Sequence, residues 1–166
     1  LVVANLGERD LREAPAVIER SGLAAFARKP RVALCAVSAP IEAEMADLSP
    51  EDAEAFRQDL GLAEPGLERV IRSTYDLLGL ISFLTAGEDE CRAWTIRTGA
   101  TALDAAAAIH SDLARGFIRA EVVDWQDLVA CGSTAEARKK GLLRSEGKAY
   151  RVREGDVIEV LFNVGR

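Results

Sequence analysis

The first 37 residues impose the strongest constraint on the fold. Residues 1–4, Leu-Val-Val-Ala, are an apolar run without polar alternation, the pattern of a strand buried on both faces of a parallel sheet. Residues 15–28 place Val17, Ile18, Leu23 and Phe26 on one face of a helix closed by Arg28 and Lys29, and residues 31–37 (RVALCAV) read as a second strand. Strand, helix and strand in this span form a βαβ unit. Two parallel strands cannot make a covered sheet, so the unit implies a sheet with more strands than these.

Helices are expected to fill residues 40–78. Ser49-Pro50-Glu51-Asp52 is a helix start, with Ser49 as N-cap and acids near the positive helix end, and Gly61 stops that helix. Pro65 begins another, with Leu67, Val70, Ile71, Leu77 and Leu78 as its apolar stripe and Gly79 at its end. From Ile81 the texture changes. LISFLTAG and CRAWTIR read as a hairpin around Gly87, Thr101 and Asp104 cap the helix ALDAAAAIH, and FIRAEVVDW, AYRV and DVIEVLFNV read as three further strands. Short helical pieces are expected at 127–130 and 134–140. A hairpin, one helix across the sheet and returning strands is the plan of a β-grasp, ubiquitin-like domain beginning near Leu80.

An apolar fraction of 49% over 166 residues suits one domain or two small ones, soluble and globular. No apolar run approaches the ~20 residues that span a bilayer, and no secretory signal is read. Cys35, Cys91 and Cys131 are odd in number and never form C-x-x-C, which points to reduced, buried thiols rather than a disulfide or zinc framework. Of the net charge of −6, nearly all lies in residues 1–80, with 9 basic and 14 acidic side chains against 12 and 13 in 81–166. Electrostatics would not drive the whole chain onto nucleic acid, although a basic face on the second half is compatible with these numbers.

The stretch RAWTIRTGATALDAAAAIHSDLARGFIRAEV, with Gly99, Thr101, Asp104, the Ala-rich turn and Ile109-His110, resembles the TGS domain of threonyl-tRNA synthetases, stringent-response synthetases and Obg-related nucleotide hydrolases. LGLAEPGLERVIRSTYDLLGL, LLGLISFLTAG, EGKAYRVREGDVIEVLFNV, SAPIEAEMADL and VANLGE widen the likeness to nearly the whole chain, which resembles the C-terminal half of the YchF, or Obg-like ATPase, family; Leu113 stands where that family usually has Phe. The resemblance implies an α/β remnant of a P-loop NTPase G domain followed by an α+β β-grasp TGS domain: residues 1–60 the end of an OBG-type G domain, 61–80 a connecting helix, 81–166 the TGS domain. No G-x-x-x-x-G-K-[ST] occurs in the sequence, so the chain reads as a fragment that begins in the last third of the G domain.

Asn5-Leu6-Gly7-Glu8 matches the family's N-x-x-E variant of the GTPase base-reading loop N-K-x-D. An Asp in that loop accepts from two adjacent guanine donors, whereas adenine presents an acceptor beside its amino group, and a Glu one methylene longer does not reproduce the Asp geometry. Losing such a base-edge contact shifts selectivity by roughly 1–3 kcal/mol. By resemblance, Asn5 orients the loop and touches the base, the Leu6 carbonyl accepts from the adenine amino group, Glu8 disfavours guanine, and Gly7 lets the loop bend. Ser38 and Ala39 match the Ser-Ala loop that closes over the base through backbone N–H groups.

The family further implies ATP with Mg2+ as ligands of the intact protein, GTP as a weaker one, a cytoplasmic location, and the ribosome (large subunit or 70S) as partner. Phosphoryl transfer needs a phosphate cradle, a metal and a positioned water. With no catalytic or metal-ligating residue identified, the fragment is expected neither to hydrolyse ATP nor to hold these ligands tightly. Arg92, Arg97, Arg115, Arg119 and the run Arg138-Lys139-Lys140 are either a solvated face or contacts to ribosomal RNA, with no DNA or membrane partner implied. Trp94, Phe117 and Trp125 are expected in the core rather than as stacking surfaces, and His110 at a helix end. The competing reading is a free-standing TGS-type RNA or ribosome module without nucleotide chemistry. A ubiquitin-like carrier is disfavoured because the chain finishes Val164-Gly165-Arg166 rather than Gly-Gly, and a threonyl-tRNA synthetase piece because a G-domain tail precedes the TGS-like part.

Overall fold

The computed structural model describes residues 1–87 and 90–163, which form two compact units, Leu1–Leu78 and Gly79–Arg166. Residues 88–89 and the chain end Val164-Gly165-Arg166, on which the carrier reading turned, lie outside the described residues. No helix among the described residues is long and apolar enough to cross a membrane.

In the first unit, β1 (Val2–Asn5) and β2 (Leu34–Val37) pair in parallel, Val2 opposite Leu34 and Asn5 opposite Val37. The connection between them departs from the expected single helix. It is three short ones, α1 (Glu8–Arg12), α2 (Ala14–Arg20) and α3 (Leu23–Ala27). The break has a local cause: the Ser21 hydroxyl donates to the Ile18 carbonyl at 2.8 Å, and Gly22 follows in the left-handed region at φ 76°. The second strand is also shorter than expected. Arg31 sits at φ 60° and the Val32 N–H turns back to the Lys29 carbonyl, so extended backbone resumes only at Leu34. Three helices follow: α4 (Ala39–Ala46), α5 (Pro50–Asp59) and α6 (Gly66–Leu78). Ser49 caps α5 as expected, its oxygen accepting from the Asp52 N–H at 3.2 Å. The helix expected to connect the two parts, α6, belongs to the first unit. The core of this unit is Leu11, Ala36, Ile41 and Leu60.

The second unit holds β3 (Leu80–Ala86), β4 (Cys91–Arg97), α7 (Ala102–Ile109), α8 (Ser111–Arg115), β5 (Phe117–Asp124), α9 (Trp125–Cys131), α10 (Thr134–Lys139), β6 (Arg144–Glu146) and β7 (Asp156–Phe162). Its sheet runs β4-β3-β7-β5-β6, antiparallel except where β3 meets β7. Side-chain alternation serves two cores. Phe83, Ala120, Val122 and Ile158 face α7, whose Ala102, Ala105 and Ala106 are wholly buried, while Leu84, Val123 and Val157 face Leu128 and Ala137 of α9 and α10. The three alanines let α7 lie close on the sheet.

Residues 149–152 are not the strand that was expected; β6 occupies that edge, with Arg144 opposite Val122. The Tyr150 carbonyl accepts from the Ala102 N–H at 2.9 Å, and the Val152 N–H donates to the Ala100 carbonyl at 3.0 Å. The buried Asp156 carboxylate accepts from the Tyr150 hydroxyl and the Arg153 N–H, both at 2.8 Å. Those backbone groups are satisfied across the mouth of α7, leaving only an isolated bridge from Thr101 to Arg151. Burial first, and the Asp156 acceptor second, push the Tyr150 phenol up to about 12.

The expectations for cysteines and aromatics hold only in part. Cys35 is buried, but Cys131, packed against the Val123, Ala137 and Val157 core, is half-buried, and Cys91, at the start of the edge strand β4, is exposed. Phe117 is buried and Trp94 stacks on Phe83 with ring centroids 6.5 Å apart, yet Trp125 is 46% exposed. Trp125 is held outward by starting α9, where its ring lies over Gly155. Gly155, at φ 77°, has no room for a side chain: a Cβ would come 2.5 Å from Trp125 Cδ1.

The cap of α7 is reciprocal, with Thr101 Oγ1 accepting from the Asp104 N–H at 3.2 Å while Asp104 accepts from the Thr101 N–H and hydroxyl at 2.7 Å each. The Thr101 N–H, then its hydroxyl, hold the Asp104 carboxyl below the usual aspartate range. A depressed folded pKa stabilises above the unfolded value, and that stabilisation is lost as pH falls through the folded one. Asp104→Ala is therefore expected to destabilise the chain by about 1 kcal/mol at neutral pH, the deficit shrinking under acid titration of the unfolding midpoint. Gly155→Ala is expected to cost about 1–3 kcal/mol in thermal unfolding, from strain and the clash with Trp125.

Candidate functional site

The carboxyl ends of parallel strands are where open α/β sheets bind ligands. Here those ends are tied together. The Leu6 N–H donates to the Val37 carbonyl at 2.8 Å, and Asn5 Oδ1 accepts from the Ala39 N–H at 3.0 Å, joining the loop after β1 to the start of α4. Ser38 between them is extended (φ −122°, ψ 102°) and only 1% exposed. Its carbonyl accepts from the Glu42 N–H at 2.9 Å, but its Oγ is buried with no hydrogen-bond partner among the described residues. A hydroxyl in that state carries a desolvation cost of about 1–3 kcal/mol until something pairs with it.

Asn5, Leu6, Ser38 and Ala39 are thus brought to one corner. Leu6 packs its side chain against Leu11, Ala36, Ile41 and Leu60, which leaves its backbone as the part a ligand can reach. Glu8 is not in a loop: with Gly7 as N-cap it opens α1, exposed, where its charge favours the helix start. Gly7 is extended at φ −69°, a conformation open to any residue, so the bend does not depend on glycine.

Five further residues brace this corner, and sequence reasoning assigned them no role. Arg69 of α6 donates from Nη1 to the Ala36 carbonyl at 2.8 Å and from Nη2 to the Glu64 carbonyl at 3.2 Å. The Glu64 carboxylate pairs with Arg72 at 2.6 Å and Arg69 at 3.5 Å. Glu42 of α4 accepts from the Gly66 N–H at 2.7 Å, an approach that a Cβ at Gly66 would obstruct at 2.6 Å. Burial raises the pKa of the neighbouring Cys35 thiol, with Arg69 opposing. The available signal was Arg69 and Arg72, three apart on one helical face behind Glu64.

In the second unit the candidate cations are dispersed. Arg92 and Arg97 lie on β4, Arg119 on β5 with two strands between, and Arg115 on α8. Arg92 pairs with Glu90 at 3.0 Å and lies 5.2 Å over the Trp94 ring, Arg115 pairs with Asp112, and Arg119 reaches Glu121 at 3.8 Å. In the basic run, Arg138 bonds Glu121 and Lys139 bonds Glu136. His110 closes α7 and caps α8, its Nδ1 accepting from the Asp112 N–H at 3.2 Å, which is a helix-end role.

Among curated proteins, the chain is similar to the "Ribosome-binding ATPase YchF" of Bacillus subtilis strain 168, 43% identical over 164 residues, covering 99% of this chain and 45% of that protein. The protein of the same name from Escherichia coli O157:H7 is also 43% identical, covering 99% and 44%. The chain therefore spans less than half the length of these relatives. Of solved structures, the Schizosaccharomyces pombe YchF GTPase matches with a TM-score of 0.76 at 30% identity, over 96% of this chain and 42% of that one. A Pyrococcus horikoshii GTP-binding protein shares the fold, with a TM-score of 0.58 at 20% identity over 88% and 41%. The family model YchF-GTPase_C, described as a protein of unknown function (DUF933), matches residues 80–163, just over half of the chain. With the family's C-terminal domain matched and 43% identity to a curated member along 99% of this chain, the chain belongs to the YchF family.

Proposed function

We propose that this chain carries the base-reading corner and the ribosome-docking domain of a Mg2+-dependent, ribosome-binding ATPase. The observation that carries the reading is the hydrogen bond from the Ala39 N–H to Asn5 Oδ1, which joins the two loops at the carboxyl ends of β1 and β2. A base edge entering there meets the Leu6 carbonyl, an acceptor suited to adenine's amino group, and the backbone at Ser38-Ala39, with the Ser38 hydroxyl buried behind it. Glu8, at the start of α1, is the carboxylate that disfavours guanine. ATP bound there supplies the phosphoryl group, and these residues bind and orient its base; the phosphate- and Mg2+-binding motif is not among the 166 residues.

The sheet order β4-β3-β7-β5-β6, crossed by α7, supports reading the second unit as a β-grasp TGS domain. Its role is docking on the ribosome, the partner in the relatives' name, with Arg92, Arg97, Arg115 and Arg119 as candidate contacts to RNA. That four of its cations already face carboxylates implies weak nonspecific RNA affinity, since each phosphate contact must displace an internal pair.

In the intact protein, Asn5→Ala is expected to weaken ATP binding about tenfold in calorimetry with the circular dichroism spectrum retained. Glu8→Asp is expected to raise GTP affinity relative to ATP in competition. Unchanged binding and selectivity in both variants would remove the corner from nucleotide recognition and leave the docking-module reading. Charge reversal at Arg115 and Arg119 is expected to reduce ribosome co-sedimentation, more strongly at low salt; undiminished pelleting returns both arginines to the solvated surface.

A further inference from the structure

The first unit also holds a groove that adjoins the base-reading corner and shares Ala39 with it. It lies between α4, α5 and α6, encloses about 880 Å3, and has an apolar floor that includes Val37, Met45, Ala53, Pro65 and Val70. Leu67, on its α6 wall, is 66% exposed, and Ile71 one helical turn further is also exposed. An uncovered leucine beside an apolar floor of this size is a cost in water of about 1.5–3 kcal/mol that a partner would recover.

The rim identifies the partner's chemistry. Glu42, Glu54, Glu64 and Glu68 border the groove; Glu54 is paired with Arg57 and Glu64 with Arg69 and Arg72, but residues 40–72 still hold nine acidic side chains against these three basic ones, and the exposed Glu68 stands beside Leu67 on the rim. Arg57 is not available to a ligand as a free cation: it pairs with Glu54, and its Nη1 donates to the Ala63 carbonyl at 2.7 Å. Nucleic acid is therefore repelled here. An apolar trough with acidic banks fits a helix whose apolar residues recur every three to four positions and whose flanks carry Lys or Arg. We infer that the groove between α4, α5 and α6 docks a cationic amphipathic helix from a partner protein. This is a protein contact on the acidic unit, separate from the RNA contacts proposed for the other.

The test uses the 166-residue chain and a fluorescein-labelled helical peptide of about 18 Leu and Lys residues, read by anisotropy. Comparison probes are a scrambled peptide of the same composition, a Leu/Glu helix and an oligouridine. The Leu/Lys helix is expected to bind at least about tenfold tighter than each, and to shift the backbone amide signals of Ala53, Leu67 and Val70. Leu67→Asp separates apolar docking from plain charge attraction, because it adds an acidic charge while removing the apolar wall. It is expected to weaken binding about tenfold, and Glu68→Lys to weaken it in a salt-dependent manner. Both side chains are exposed, so both variants are expected to retain the parent circular dichroism spectrum. Equal binding of the scrambled peptide, preference for oligouridine, unchanged or tighter binding by Leu67→Asp, or amide shifts confined to the second unit would overturn the inference.

Discussion

The first unit turns on a guanidinium. Arg69 reaches from α6 to the Ala36 carbonyl in β2, two residues before Ser38, and is itself held by the Glu64 carbonyl and carboxylate. A two-stranded sheet has little rigidity of its own, since each strand has one neighbour and a short ladder. Bracing β2 from outside fixes the direction in which its chain leaves the sheet. The Ala39 N–H can then meet Asn5, and Ser38 is held inside with its hydroxyl unpaired. Glu42 and Gly66 make the complementary tie from α4 to α6, so the beginning of α6 is gripped from two sides.

The second unit is organised by strand alternation rather than by charge. Adjacent residues of three strands serve opposite cores: Phe83 and Leu84, Val122 and Val123, Ile158 and Val157. A one-residue register slip in any of them would exchange the two sets, which pins the register strongly. The polar cluster of Asp156, Tyr150 and Arg144 lies at the end of this arrangement and gives the irregular segment between β6 and β7 its hydrogen bonds.

What could be read in the sequence was whatever depends on near neighbours. The Thr101–Asp104 box, the Ser49 cap and the 80–97 hairpin are local signals, and all appear in the structure. The β1–β2 pairing was legible in the strand–helix–strand pattern of residues 1–37, while Asn5 and Ala39, 34 residues apart and joined here by a hydrogen bond, were linked only through a resemblance. Residues 149–152 were misread because their partners, Ala100, Ala102 and Asp156, were chosen by tertiary position, and a short apolar-polar alternation looks like a strand wherever its bonds go. Arg69 was passed over for a related reason: an arginine on a helix reads as solvated until the carbonyl it caps is known. The helix expected across 15–28 failed at Ser21-Gly22, where a side-chain bond and a left-handed residue outweigh the apolar period.

In the second sheet, β7 lies in the interior between β3 and β5, although it is the last strand in chain order. Every earlier strand of that sheet is made before the one that joins its halves. On a growing polypeptide, the β3–β4 hairpin and the β5–β6 pair would leave the exit tunnel as separate pieces with α7 lacking part of its floor. Closure waits for residues 156–162 to be synthesised, so a nascent chain stalled before them would expose both apolar cores at once.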